Sequence, residues 1–109
     1  MQWPNDADGD TFRLLAENNF DFNKEYEIDF NVDFKDWPLS NDAIAALRDI
    51  DPNVLLMESN RKNSVARGLA VVKIKARLNY NMVVEAQKKL TRQFRKYGGW
   101  CKTWGVMSE

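Results

Sequence analysis

The chain has 109 residues, 44% hydrophobic and 29% charged, with sixteen Lys/Arg balanced by sixteen Asp/Glu and no histidine. That length suits one domain, residues 1–109, with a core of its own, and no apolar run approaches the roughly 20 residues of a membrane helix. The lack of histidine excludes Ser-His-Asp and Cys-His catalytic sets and the usual zinc sites, while the lone Cys101 excludes an internal disulfide and fits a reducing compartment.

Near the start, Met1-Gln2-Trp3-Pro4 lacks the basic and apolar stretches of an export signal, so the expected location is cytoplasmic. Asp10 is expected to cap a short helix over Thr11 to Asn19, with Phe12, Leu15 and Ala16 on one side. Residues 26–34 then alternate strictly. Tyr26, Ile28, Phe30, Val32 and Phe34 are apolar, and the residues between them are acidic or amide. A period of two predicts a strand with one dry and one wet face. It ends near Trp37-Pro38, since proline cannot donate to a ladder. Ser40 caps a second helix, in which Ile44, Leu47 and Ile50 recur at helical spacing, and Pro52 ends it.

Val54 to Glu58 reads as a short strand, and residues 59–68 as a polar, mobile connection. A second alternating strand occupies 69–79, with Ala70, Val72, Ile74, Ala76 and Leu78 inward against Lys73, Lys75 and Arg77 outward. Asn81 opens the longest helix, whose buried stripe is Val83, Ala86, Leu90, Phe94 and Tyr97; Gly98-Gly99 closes it, and Trp100 to Val106 forms the last strand.

After the first helix the order is βαββαβ, the split arrangement of a ferredoxin-like α+β sandwich, with a four-stranded antiparallel sheet of order 4132. Its central neighbours are the two alternating strands, one anionic and one cationic on the wet face. Glu27, Asp29 and Asp33 are thus expected beside Lys73, Lys75 and Arg77. The same asymmetry runs through the chain: residues 1–51 hold thirteen acids and four bases, residues 52–109 three acids and twelve bases. Either the halves neutralise each other across the sheet, or acidic and basic surfaces face different partners.

No constellation for catalysis emerges, and the chain is expected to be no enzyme. Cys101 beside Lys102 has no base to complete a nucleophile. Asp6-Ala7-Asp8-Gly9-Asp10 opens like a calcium loop, with Glu17 at the twelfth position, but Thr11 stands where the loop needs glycine; no metal and no cofactor are expected. Lys88, Lys89, Arg92, Arg95 and Lys96 fall within nine residues of the long helix and could meet several phosphates, which leaves an RNA-binding domain using helix 82–97 as an alternative function. Stacking of bases on the sheet is disfavoured, since its wet positions are charged and Tyr26, Phe30 and Phe34 point inward. Trp3, Trp37, Trp100 and Trp104 lie near element boundaries, where large aromatics seal a small core; an exposed one would be a partner's anchor.

Pro4-Asn5, Asp8-Gly9-Asp10, Leu14-Leu15 and Asp21, together with Tyr97-Gly98-Gly99-Trp100-Cys101-Lys102-Thr103-Trp104-Gly105, resemble the regulator of ribonuclease E activity B (RraB) family across nearly the whole chain. The resemblance implies a ferredoxin-like fold and a bacterial cytoplasmic protein that binds ribonuclease E as its protein partner and inhibits RNA processing. The surface expected to meet a basic segment of that partner is acidic: Asp6, Asp8, Asp10, Glu27, Asp29 and Asp33. The oligomeric state stays open, sheet extension at either edge strand being one route.

Overall fold

The computed structural model describes residues 3–59 and 65–106. Its elements follow in the order α1 (Ala7–Glu17), β1 (Glu25–Phe34), α2 (Asn41–Ile50), β2 (Leu55–Glu58), β3 (Gly68–Arg77), α3 (Tyr80–Phe94) and β4 (Gly99–Val106), with a 3-10 turn at Arg95–Tyr97. The four strands form one antiparallel sheet in the spatial order β2-β3-β1-β4, the expected 4132 read from the other edge.

The period-two alternation decides which side of the sheet is dry. Ile28, Phe30, Val32 and Phe34 from β1 and Ala70 and Val72 from β3 are fully buried, and they meet Leu47 of α2 and Val83, Leu90 and Phe94 of α3. Each such apolar side chain withdrawn from water contributes about 1.5–3 kcal/mol, so this layer carries most of the fold's stability. The other side of the sheet is left uncovered by any described helix.

Ser40 caps α2 by accepting the Ala43 N–H at 3.1 Å. Gly98 takes the left-handed conformation (φ 77°) that ends the α3 segment and turns the chain into β4. Two expected caps are corrected. The first helix begins at Ala7, because Asp6 and not Asp10 is extended and accepts the Gly9 N–H at 2.7 Å; Asp10 lies inside the first turn and pairs with Arg13. The long helix is capped by Asn79 in place of Asn81, through the Met82 N–H at 2.8 Å. Its buried stripe also includes Gln87, which the sequence pattern passes over. Of the connection expected to be mobile, residues 60–64 lie outside the described residues; Ser59 N–H donates to Arg67 O at 2.9 Å across its ends.

Asp51, at the end of α2, is nearly buried. Its carboxylate accepts the Asn53 N–H at 2.9 Å and the Lys73 N–H at 3.0 Å. The second bond matters for the sheet: β2 pairs with β3 only as far as Val71, and Asp51 takes the next outward N–H of β3.

Candidate interaction surfaces

Register divides the uncovered face of the sheet into two unlike halves. In one half, Glu25 lies opposite Arg77, Glu27 opposite Lys75, and Asp29 opposite Lys73. Only the last pair closes, Lys73 Nζ to Asp29 Oδ1, at 4.0 Å, and both side chains are more than a third exposed. Cross-strand ion pairs so wetted contribute about 0.2–1 kcal/mol each, enough to select the register but little more.

Asp33 departs from the expected set. The antiparallel register carries it past the end of the basic run, opposite Leu69 on β3 and opposite Trp100 on β4. Leu69 in turn faces Met57 on β2, so one row across the sheet reads Met57, Leu69, Asp33, Trp100. The adjacent row reads Leu55, Val71, Asn31, Thr103, and Asn31 donates its amide to Thr103 Oγ1 at 3.1 Å. On its β2–β3 side this half of the face is apolar, Asp33 is its one carboxylate, and Asn31, Thr103 and Lys102 make its β4 side polar. Leu55 is 50% and Met57 47% exposed, whereas Val71 between them and β1 is 8% exposed. Burial pushes the Asp33 carboxyl above its ordinary value, and the Lys102 ammonium, on the bulged part of β4, draws it back in part.

The remaining acids of the expected surface sit elsewhere. Asp6 caps α1 and Asp8 and Asp10 lie in its first turn; this helix packs on α3 and Trp104 behind the sheet, so the six residues do not form one continuous surface. Asp6 accepts the Tyr80 hydroxyl at 2.5 Å. That bond holds the Asp6 carboxyl below, and the Tyr80 phenol above, their usual values. Asp8 accepts the Trp104 indole N–H at 2.8 Å and the Gln87 amide at 3.1 Å. Two of these three carboxylates thus fasten α1 to the rest of the fold.

The basic residues of the alternative site are all exposed. Lys88, Arg92 and Arg95 border a shallow depression of about 330 Å³ with Gln87, Thr91 and Cys101. Lys89 lies on the same helix; Lys96 rests over the Tyr97 ring at 5.2 Å, and Lys88 Nζ lies 3.9 Å from Glu85. Thr91 Oγ1 accepts the Cys101 N–H at 2.9 Å and donates to Cys101 O at 3.4 Å, which occupies the outer edge of β4 at that residue. Burial pushes the Cys101 thiol up to about 12, so it is protonated and unreactive at neutral pH.

Three tryptophans pack against the core: Trp3 beside Phe12 and Phe22, Trp37 over Gly68, and Trp104 beside Phe12. Trp100 does not; it stands on the uncovered face next to Asp33. The sequence reading missed Leu55, Met57 and Leu69 as surface residues, and Val71 as the buried residue between them and β1. Their signal was present in part, since Leu69 and Val71 occupy wet-face positions of a strand whose other wet positions are Lys73, Lys75 and Arg77.

Among the described residues, no group of three or more His, Cys, Asp or Glu side chains is arranged to hold a metal ion, and no helix is long and apolar enough to cross a membrane. No match to the chain was found among curated proteins. One family pattern, described as Regulator of ribonuclease activity B, matches residues 5–106, and the chain belongs to that family, RraB.

Proposed function

We propose that the chain acts without catalysis of its own, as a regulatory protein that binds a ribonuclease E-type enzyme in the bacterial cytoplasm and inhibits its RNA processing. The observation that carries this reading is the family match over residues 5–106. The uncovered sheet face supports it, since a face without a helical cover is available for protein contact. On that face Glu27, Asp29 and Asp33 are the acids we assign to the contact, because Asp6 and Asp8 are engaged within the fold and Asp10 is paired with Arg13. A basic stretch of the nuclease competes for Glu27 and Asp29 with Lys75 and Lys73, and complementary charge accelerates the encounter.

The test is direct. Purified chain added to ribonuclease E and a short RNA substrate is expected to slow cleavage, and the Asp29→Lys/Asp33→Lys variant to slow it less. Cleavage unaffected by saturating wild-type chain removes the function. Full inhibition by the variant removes these acids from the contact.

A second reading rests on the three cations around the α3 depression, of which, among the described residues, only Lys88 has an acidic neighbour within ion-pair range. Were the chain to bind RNA there, affinity for a short single strand would fall with salt, with a slope of about −0.7 per phosphate contact. Arg92→Glu/Arg95→Glu would abolish it. No retention on RNA at low salt dismisses that reading.

A further inference from the structure

We propose that the apolar half of the uncovered sheet face is a docking site for a segment of a partner protein that carries one arginine or lysine between apolar side chains, the cation pairing with Asp33. The proposal deepens the interaction reading above but does not depend on which protein is the partner.

The geometry supplies both halves of the recognition. Leu55 and Met57 project from neighbouring wet-face positions of β2, each about half exposed, and the half-buried Leu69 continues the same surface onto β3 beside the buried Val71. Trp100 closes the row on the far side. Its indole N–H has no hydrogen-bond acceptor among the described residues, and large aromatics placed so are the usual anchors of a protein contact. Between these apolar walls stands Asp33. Glu25, Glu27 and Asp29 each have a base directly across the strand; Asp33 has Leu69 and Trp100. Among the described residues no side-chain hydrogen bond or ion pair reaches its carboxylate, and Lys102 acts on it only at longer range.

A carboxylate half withdrawn from water without a partner is destabilising to the free protein. A cation brought in by a partner removes that penalty at the moment the surrounding apolar surface is covered, and so converts it into selectivity for Arg or Lys at one position. The charge also selects among occupants. Nucleic acid is disfavoured, since its phosphates would meet an acid set among Met57, Leu69 and Trp100. A second copy stacked on this face about a two-fold axis would set one Asp33 near the other, two like charges in a desolvated layer. A protein segment with one cation among apolar residues satisfies the Asp33 carboxylate and covers Leu55, Met57 and Leu69.

The experiment uses the full chain as bait for a phage-displayed library of random linear peptides. Selected peptides are expected to share one Arg or Lys flanked by apolar residues. Their affinity should fall at least tenfold on Asp33→Asn and on Leu55→Ser/Met57→Ser, and stay unchanged on Lys88→Glu behind the sheet. Circular dichroism and melting of each variant establish that it is folded. Peptides that bind both face variants as tightly as the parent, peptides that require an acidic residue, or a library that yields no binder overturn the proposal. So does a concentration-dependent dimer in sedimentation equilibrium that Met57→Ser abolishes, since the occupant is then a second copy. The nuclease assay separates the two readings. Inhibition that both face variants retain in full, together with peptides that bind those variants as tightly as the parent, keeps the function and refutes this site, whereas cation-bearing binders on a chain that leaves the nuclease unaffected keep the site and refute the function.

Discussion

The carboxylate of Asp8 accepts the indole N–H of Trp104 at 2.8 Å, joining the first turn of α1 to the last strand across almost the full length of the chain. The same carboxylate takes the Gln87 amide of α3 at 3.1 Å, so one residue links three elements and leaves no buried polar atom of that junction unsatisfied among the described residues. Replacing Asp8 with Ala is expected to destabilise the fold by about 2 kcal/mol, because the indole N–H loses a charged acceptor in a partly buried site. Urea titration followed by circular dichroism measures the loss. A midpoint equal to that of the parent would show that α1 is held by its apolar side alone.

Gly68 lies against the face of Trp37, so close that a Cβ there would sit 2.2 Å from the ring. Gly68→Ala should cost about 2 kcal/mol, as an overpacked contact does, since either the ring or the start of β3 must move. The partner change Trp37→Leu in the same chain should recover part of that loss. Thermal melting of the single and double variants checks both statements, and strict additivity would contradict the contact.

Cys101 should resist modification. Its thiol is buried behind α3 and raised to about 12, so thiolate is scarce at pH 8. A colorimetric disulfide reagent is expected to react with no thiol in the native protein and with one in guanidinium. Stoichiometric labelling of the folded chain at pH 8 would contradict this burial.

Asp33 makes stability depend on pH in an unusual direction for an aspartate. Its folded-state value lies above the unfolded one, so between the two the folded chain holds the proton more tightly, and stability falls as pH rises through that window. Asp33→Asn lacks this loss. The variant is therefore expected to melt at a higher temperature than the parent at pH 7, with the gap closing as the pH drops below the ordinary aspartate range. Equal melting temperatures at pH 7 would show that Lys102 fully compensates the carboxylate.

Much of this fold was legible because alternation is a local signal. The wet and dry faces of β1 and β3, the Ser40 cap and the left-handed Gly98 each depend on residues close in sequence. Register is not local. The acids of β1 run from Glu25 to Asp33 but the bases of β3 only from Lys73 to Arg77, and Glu25 aligns with Arg77, so the surplus acid falls opposite Leu69. Alternation alone could not place that offset, and the apolar half of the face was missed with it. The start of α1 escaped for a similar reason. Asp6 and Asp10 are equally plausible caps by type, and the choice is made by Gly9, whose missing Cβ lets the helix turn against the Pro4 carbonyl.

The carboxylate at the end of α2 has a wider effect than its two bonds suggest. By standing in for a missing strand residue beside Lys73, Asp51 allows the rim of the sheet to stop after four paired positions, Leu55 to Glu58, without stranding the amide beyond them. A rim that brief offers little template for a stranger's backbone, so the greasy side chains of Leu55 and Met57 lie beside an edge that discourages runaway strand addition.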